Sequence, residues 1–267
     1  MPESALNCIS SWKHYFSDYE INEWNESNYD VKKTIWTREL YKIKHFSGVS
    51  DYARLDILYR EGGIYFDTDV EVIKTYTAEM LEKGFIGLEN VMRANLGLGC
   101  GCYPGLGIIK EMLNHYDKIR KFNGFDMYII NGLSEKLKKY GLTEENKIQN
   151  VAGIGVYPIE YFSPKSFETG ITTITENTCS IHHFDGSWVS PECNGATKER
   201  WNFYKKYRND EYVVKMYKEL QTYKTYDISK IGLKELYKIV IKRTIKKMIC
   251  NKLTNIVRQY RSKKNGT

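Results

Sequence analysis

Apolar positions recur at helical spacing near the start of the chain. Residues 3–17 place their large apolar side chains on one side of a helix. Residues 19–24 alternate between apolar and polar side chains, which predicts a short strand, and residues 36–44 return to helical spacing. The apolar side of the first helix is formed by Leu6, Ile9, Trp12 and Phe16.

Residues 50–72, SDYARLDILYREGGIYFDTDVEV, predict a helix, a tight turn and a short strand. Ser50 is a good N-cap residue, and the Gly62–Gly63 pair ends the helix and permits a turn with positive φ. The apolar Ile-Tyr-Phe run then suits a buried strand. Asp67 and Asp69 follow it, and on a strand they would project to the same side.

The remaining pattern alternates between helices and strands, which indicates an α/β fold. Helices are predicted over residues 107–121 and 127–140, and strands over residues 85–88, 156–162 and 172–181. The glycine-rich segment 95–107 is predicted to be a loop. It lacks the strand–turn–helix fingerprint of a dinucleotide fold, which excludes a Rossmann cofactor site there.

Two carboxylates on one side of a strand end repel each other unless a cation lies between them. Mg²⁺ and Mn²⁺ prefer carboxylate oxygens and commonly bridge to phosphates. Asp67 and Asp69 therefore predict a metal–diphosphate site, although a bare Asp-x-Asp is common by chance. Asp51 and Arg54 share a helix face, and their helix would bring one cation and a further carboxylate to the same place.

The adjacent pair His182–His183 offers a nitrogen ligand for the same ion. Such a pair is often structural, with one ring buried and the other exposed. We favour His183 over His182 as the ligand. Because neutral imidazole is the ligand form, metal binding should weaken below a pH of about 6.5.

Composition favours one principal domain in a reducing compartment. The chain has 267 residues, 42% of them hydrophobic, which is enough for a sizeable core. Its 22 tyrosines could stack on sugars, but such abundance more often reflects packing. The six cysteines show no paired zinc spacing, and we find neither a signal-peptide pattern nor a long apolar run. We therefore expect a cytoplasmic protein.

The net charge of the sequence changes sharply at about residue 228. Residues 229–267 contain twelve Lys or Arg and one Glu, a net charge of +11, whereas the whole chain carries +7. This extension also has one apolar stripe at helical spacing. It predicts either a helix lying on an anionic membrane surface, at the inner face of the cytoplasmic membrane, or a helix packed on the domain 1–228. Nucleic-acid binding is not expected, because stacking or base-reading elements are lacking.

The segment 50–72 resembles the core motif of glycosyltransferase family 32. This family includes bacterial enzymes of capsule and surface-polysaccharide synthesis and yeast outer-chain mannosyltransferases, and the clostridial glucosylating toxins are distant relatives. The resemblance continues through most of the chain to about Tyr207. It is carried further by GFIGLEN (84–90), NLGLG (95–99), YPIEYFSPKSFETG (157–170) and SIHHFDGSW (180–188).

The resemblance implies the A-type glycosyltransferase fold, a single mixed central sheet flanked by helices. Members normally carry a first strand before the helix that corresponds to residues 3–17. This chain starts directly at Met1 without that strand, so either the true start lies upstream, the reading frame is truncated, or another segment substitutes for the strand. In each case we expect the base pocket to be affected.

The resemblance also implies roles for individual residues. The implied catalytic residues are Asp67, Asp69 and Arg54. The implied metal is Mn²⁺ or Mg²⁺. The implied metal ligands are Asp67, Asp69, Asp185 and either His182 or the favoured His183. The implied donor-binding residues are Asp51, Arg54, Tyr65, Asp67, Asn95, Ser187 and Trp188.

Two functional interpretations follow. The first is a metal-dependent, retaining hexosyltransferase that uses a UDP- or GDP-sugar and a saccharide or lipid-linked saccharide acceptor in surface polysaccharide synthesis. The second is a catalytically inactive, truncated homologue that acts as a binding or scaffold protein. Retention of both aspartates, Arg54 and the HHFDGSW segment favours the enzyme.

Overall fold

The computed structural model describes residues 1–124, 128–186, 191–209, 211 and 214. The chain divides into two compact units: residues 1–167 with 171–194, and residues 168–170 with 195–267. The predicted boundary at residue 228 and the basic extension 229–267 lie outside the described residues. The helices are α1 (Glu3–Tyr15), α2 (Ile35–Lys42), α3 (Phe46–Glu61), α4 (Ala78–Lys83), α5 (Gly107–Asp117), α6 (Tyr128–Lys139), α7 (Ile159–Phe162) and α8 (Pro191–Tyr207).

A five-stranded mixed sheet forms the centre of the first unit, in the order β1-β4-β3-β6-β5. Only the β3–β6 pair is parallel among these neighbours. A separate two-stranded sheet pairs β2 with β7 in antiparallel fashion. The strands are β1 (Gly63–Tyr65), β2 (Val70–Val72), β3 (Phe85–Asn90), β4 (Arg93–Cys102), β5 (Gln149–Val151), β6 (Ile154–Tyr157) and β7 (Ser180–His182). The predicted α/β fold with a mixed central sheet and flanking helices is confirmed.

Apolar clusters cover both faces of the sheet. Because neighbouring residues of a strand point to opposite sides, Phe85 and Ile86 of β3 enter different clusters. Ile86 belongs with the α3 residues Leu55 and Leu58. Phe85 belongs with an aromatic group that includes Phe162. α3 is therefore fixed on one face of the sheet, and its position follows from burial rather than from local propensity.

The end of α3 follows the sequence prediction, whereas its start does not. Gly62 ends the helix with φ +70°, and a Cβ atom there would lie 2.9 Å from the carbonyl oxygen of Cys102. The helix begins at Phe46 with His45 as N-cap, whose Nδ1 accepts from the Gly48 amide. The predicted N-cap Ser50 lies one turn inside the helix. The prediction missed the earlier start because histidine is an uncommon N-cap.

Four further element predictions differ from the structure. The predicted strand 156–162 is the end of β6 followed by helix α7, and of the predicted strand 172–181 only the start of β7 is a strand. The segment predicted as a glycine-rich loop is mostly the ten-residue strand β4, because its glycines make room for side chains of neighbouring segments. Residues 19–24 form no regular strand, although they alternate in polarity. Their alternation has no strand partner in the sheets described above, so it produces no ladder.

Four cysteines in the described ranges are buried and free: Cys8, Cys100, Cys102 and Cys179. This agrees with the expectation of reduced thiols. Within the same ranges, no helix has both the length and the apolar character needed to cross a membrane.

In the second unit, the described part of α8 lies against a tight turn. Gly170 has φ +67°, and a Cβ atom there would lie 2.4 Å from the Trp201 ring. Arg200 Nε donates to the Glu168 carbonyl at 2.7 Å. Glycine is thus required at 170 for both conformation and space.

Candidate functional site

Asp67 and Asp69 lie in a turn between β1 and β2, not on a strand. The Val70 amide donates to the Asp67 carbonyl at 3.0 Å, which closes the turn. The argument from strand alternation is therefore wrong, but its outcome is retained, because the turn brings the two carboxylates together. The Asp67 amide also donates to the Gly97 carbonyl at 3.1 Å, which ties the turn to β4.

The two carboxylates form a cluster with His182. One potential ligand atom from each of Asp67, Asp69 and His182 lies within 4.8 Å of the others. The register of the small sheet, with Val70 opposite His182, explains the approach. His182 Nε2 lies 3.2 Å from Asp69 Oδ1. A loop early in the chain and a late strand thus meet at one point.

His183, the residue that we favoured from the sequence, points elsewhere. Its Nε2 lies 2.8 Å from Glu71 Oε2. Successive side chains alternate at the end of β7, so only one of the two histidines can face Asp69. The structure gives that place to His182, and this corrects the choice between the two. His183 serves the turn through its backbone, since its amide donates to the Asp69 carbonyl at 2.9 Å.

The Asp185 segment contributes a backbone contact. The Asp185 amide donates to Asp69 Oδ2 at 2.9 Å, which orients that carboxylate. The Asp185 carboxylate is not a member of the three-residue cluster that the described residues form. Ser187 and Trp188, also predicted as donor-binding residues, lie outside the described residues.

Asp69 and His182 change each other's protonation. Burial opposes the charged imidazole, but the hydrogen bond and the negative charge of Asp69 raise the pKa of His182 above its ordinary value of 6.5. Burial also opposes ionisation of Asp69, yet the hydrogen bond to His182 and the Asp185 amide lower the pKa of Asp69 below 3.8. Each partner therefore stabilises the charged form of the other, carboxylate for Asp69 and imidazolium for His182.

Arg54 supplies a buried cation beside the cluster. Its guanidinium lies 3.2 Å from Asp67 Oδ1 and 3.0 Å from Asp51 Oδ1, and it stacks 4.6 Å above the Tyr65 ring. Burial disfavours its charge, but Asp67, Tyr65 and Asp51 outweigh burial and raise the pKa of Arg54. Tyr65 donates to Asp67 Oδ1 at 2.7 Å. Residues 51 and 54 share a face of α3, as the spacing predicts.

Asp51 is the more shielded carboxylate partner of Arg54. Its burial is the main cause of a raised pKa, and the charge of Asp67 adds to the effect, while Arg54 opposes it. The guanidinium therefore divides its interactions between the Asp67 carboxylate at the turn and the more shielded Asp51 carboxylate on the helix. Arginine presents donors in a rigid fork, so a lysine could not make both contacts.

Asn95 lies close to Asp67 through Gly97. Its Oδ1 accepts from the Gly97 amide at 2.8 Å, and its Nδ2 donates to Glu89 Oε2 at 3.0 Å. A Cβ atom at Gly97 would lie 2.0 Å from Asp67 Oδ2. The sequence prediction included Asn95 but missed Gly97 and Glu89. The alternation of glycine with larger residues over 95–101 was the available indication of a strand that accommodates its neighbours.

α1 supports the turn through three contacts. Trp12 Nε1 donates to the Val70 carbonyl at 2.7 Å, and its ring stacks on Phe66 with centroids 5.3 Å apart. Ser11 Oγ accepts from the Val72 amide at 2.9 Å. These contacts hold the residues on both sides of Asp67 and Asp69. Sequence analysis placed Trp12 only on an apolar helix face.

The donor set fits a divalent cation. Two carboxylates and one imidazole suit Mn²⁺ better than Mg²⁺, which prefers oxygen ligands alone. His182 is buried, and its Nδ1 has no hydrogen-bond partner in the described part of the chain. Asp67, Asp69 and His182 are therefore the residues that could hold such an ion.

Comparison with known families agrees with this geometry. Residues 2–85 match the family model described as a glycosyltransferase sugar-binding region containing a DXD motif. None of the curated proteins and none of the solved structures matches the chain. The match includes Asp51, Arg54, Asp67 and Asp69, and ends before His182. Residues 2–85 thus resemble the sugar-binding region of DXD-containing glycosyltransferases, which gives the chain a glycosyltransferase-like role.

Proposed function

We propose that the protein is a metal-dependent hexosyltransferase that uses a UDP- or GDP-linked sugar. Its acceptor is a saccharide, and the transfer retains the anomeric configuration. The observation that carries this proposal is the convergence of Arg54 with Asp67, Asp69 and His182, from three separate segments of the chain. A cation and a cluster of ligands suited to a metal are what a leaving diphosphate requires.

Each residue has a distinct part in the proposed reaction. Asp67, Asp69 and His182 would hold the divalent ion, which neutralises charge on the leaving diphosphate when it is bound. Arg54 is held in place by Asp51 and Tyr65 beside the metal cluster. Its proposed role is to orient the donor. Carboxylates beside the sugar favour the positive charge that its ring develops.

The proposed setting is the synthesis of a surface polysaccharide at the inner face of the cytoplasmic membrane. Two features support it: the resemblance to capsule-type enzymes, and the charge of +11 on residues 229–267. The same proposal includes a lipid-linked saccharide as the form of the acceptor.

Thermal unfolding with added ligands tests the proposal. A ligand that binds the native state must raise the melting temperature. We expect Mn²⁺ with at least one UDP- or GDP-sugar to raise it more than Mn²⁺ alone. Mass spectrometry of the same mixtures should detect hydrolysis of that donor.

Asp69→Asn supplies the matched variant. It keeps the size of the side chain and removes a charged ligand, so Mn²⁺-dependent hydrolysis should be abolished while the circular dichroism spectrum is unchanged. If no nucleotide sugar stabilises the wild-type protein, the inactive scaffold interpretation replaces the enzyme. If the Asp69→Asn protein hydrolyses the donor at the wild-type rate, Asp69 has no part in the reaction.

A further inference from the structure

A second site candidate lies outside the cluster, between α2 and the start of α3. It is a surface pocket of about 480 Å³, a volume within the usual range for small-molecule sites. Its lining residues are Lys32, Arg38, Tyr41, Lys42, Lys44 and Phe46. Nothing in the proposed transfer reaction uses these residues.

The rim of the pocket carries excess positive charge. Four of the six lining residues are cations. Glu39 is shared by Arg38 at 3.3 Å and Lys42 at 2.8 Å, so one carboxylate serves two cations. Within the described ranges, neither Lys32 nor Lys44 has an ion-pair partner. An anion in the pocket would therefore meet charge that the protein itself does not neutralise.

Two aromatic rings form the apolar part of the pocket. Tyr41 and Phe46 meet edge to face with centroids 5.7 Å apart. Phe46 is 54% exposed, although phenylalanine is favoured in the interior, and Ile43, which lies between Tyr41 and Phe46 in the sequence, is 61% exposed. An apolar group placed against these rings would remove this surface from water. The pocket thus combines two features, a cationic rim and an apolar wall.

The pocket adjoins the helix that carries the donor-site residues. Phe46 is the first residue of α3, and Asp51 and Arg54 follow it along the same helix. At 1.5 Å per residue, these positions lie about 8 Å and about 12 Å along the axis from Phe46. The N-terminal end of a sixteen-residue helix also carries partial positive charge, which favours an anion nearby.

We propose that this pocket binds a phosphate group carried on an apolar body. The rim cations hold the phosphate, and the rings of Tyr41 and Phe46 contact the apolar part. The role of the pocket as the anchor subsite for a lipid-linked saccharide acceptor rests on the proposed function. The binding itself does not rest on it, because none of the pocket residues belongs to the metal cluster.

Calorimetric titration of the full-length protein tests the proposal, with farnesyl diphosphate as probe. EDTA is present, so that no divalent ion recruits the diphosphate to the metal cluster. We expect farnesyl diphosphate to bind more tightly than inorganic diphosphate, farnesol or glucose 1-phosphate, because only this probe has both chemical features. Equal affinity for inorganic diphosphate or glucose 1-phosphate would overturn the apolar part of the proposal, and equal affinity for farnesol its cationic part.

Three variants separate the two features. Lys42→Ala and Lys44→Gly each remove one cation, and we expect each to weaken binding about two- to fivefold. Glycine is chosen at 44 because Lys44 has φ +59°, so the change relieves strain rather than causing it. Phe46→Ser should weaken the binding of farnesyl diphosphate but leave the binding of inorganic diphosphate unchanged.

Lys83→Ala is the matched control. Like Lys42, Lys83 has a side chain that is 61% exposed, ends a short helix and pairs with a glutamate within its helix. Its removal should leave binding at the wild-type level. If the Lys42 and Lys44 variants bind as well as this control, the pocket is not the site. Asp69→Asn should still bind the probe, which distinguishes failure of this proposal from failure of the transferase proposal.

Discussion

Gly97 leaves the space that the Asp67 carboxylate occupies. A Cβ atom at this position would lie 2.0 Å from Asp67 Oδ2 and 2.8 Å from its Cγ. We expect Gly97→Ala to displace the carboxylate and to weaken Mn²⁺ binding by at least about tenfold, with an overpacking cost of about 1–3 kcal/mol in unfolding free energy. Calorimetric Mn²⁺ titration and urea unfolding measure the two effects separately.

Gly107→Ala is the control for that substitution. Gly107 is the first residue of α5, and a Cβ atom there would meet nothing within 4 Å. Its unfolding free energy should be unchanged or slightly raised, and its Mn²⁺ affinity should equal that of the wild type. Wild-type Mn²⁺ affinity in Gly97→Ala would contradict the role that we give to this space.

His182 predicts the pH dependence of metal binding. Asp69 raises the pKa of His182 above its ordinary value, so in the metal-free protein the imidazole keeps its proton to a higher pH than a free histidine does. The ion must displace this proton. We therefore expect Mn²⁺ affinity to rise with pH until the pH passes the His182 pKa, and to fall about tenfold per unit below it. Electron paramagnetic resonance of free Mn²⁺ measures the affinity.

The two neighbouring histidines provide the comparison. His182→Asn should lose most of the affinity and the pH slope, whereas His183→Asn should keep the slope. In the metal-free protein, His182 and Asp69 make folding stability depend on pH in opposite directions. The His182 contribution is complete below pH 6.5 and is lost as the pH rises through its raised pKa; that of Asp69 is present above pH 3.8 and is lost as the pH falls through its lowered pKa. A slope that survives in His182→Asn would exclude this residue as the ligand.

The charged residues of the cluster could be found from the sequence, but the choice of histidine could not. Asp67, Asp69 and Arg54 are marked by their spacing and by the surrounding motif. His182 is the last residue of β7 and His183 follows it, so the two differ in the side to which each side chain projects. That side depends on pairing with β2, more than a hundred residues earlier, and a shift of one residue exchanges them.

At the scale of elements, α1 acts on the turn through Trp12. Trp12→Phe keeps a ring against Phe66 but leaves the Val70 carbonyl without its indole donor. We expect unfolding free energy to fall by about 1 kcal/mol. If Trp12 positions the turn, Mn²⁺ affinity falls as well, which calorimetry of the folded variant measures.

Trp24→Phe is the control at this scale. Trp24 is 38% exposed and lies about 6.0 Å from the Arg60 guanidinium, away from the turn. Its substitution should change stability little and Mn²⁺ affinity not at all. If the Trp12→Phe protein is less stable but binds Mn²⁺ with wild-type affinity, Trp12 contributes only to packing and not to the position of the turn.

The same scale explains which elements the sequence could predict. α3, α5 and α6 have long apolar periodicity or clear end residues, so their existence is predictable. β4 was missed because the glycines at 97, 99 and 101 are typical of a loop, and only their regular alternation with larger residues indicates a strand. Those glycines face Asp67, Phe66 and Phe85, so the reason for them exists only in the folded sheet.

For the whole molecule, the uneven charge distribution predicts membrane binding. We expect full-length protein to sediment with anionic phosphatidylserine vesicles, and less so at high salt. Replacing Lys234, Lys238, Lys242 and Lys246 by glutamine should weaken this strongly, because each basic residue near such a surface contributes about 1 kcal/mol. Undiminished sedimentation of the variant would favour the alternative, a helix packed on the domain.

Because β2 pairs with β7, the cluster can be completed only late in synthesis. Asp69 is translated more than a hundred residues before His182. A nascent chain that has left the ribosome only as far as β6 carries both aspartates and Arg54, but no imidazole beside them. Until residue 182 has emerged, the growing polypeptide lacks one of the three side chains that we propose as metal ligands.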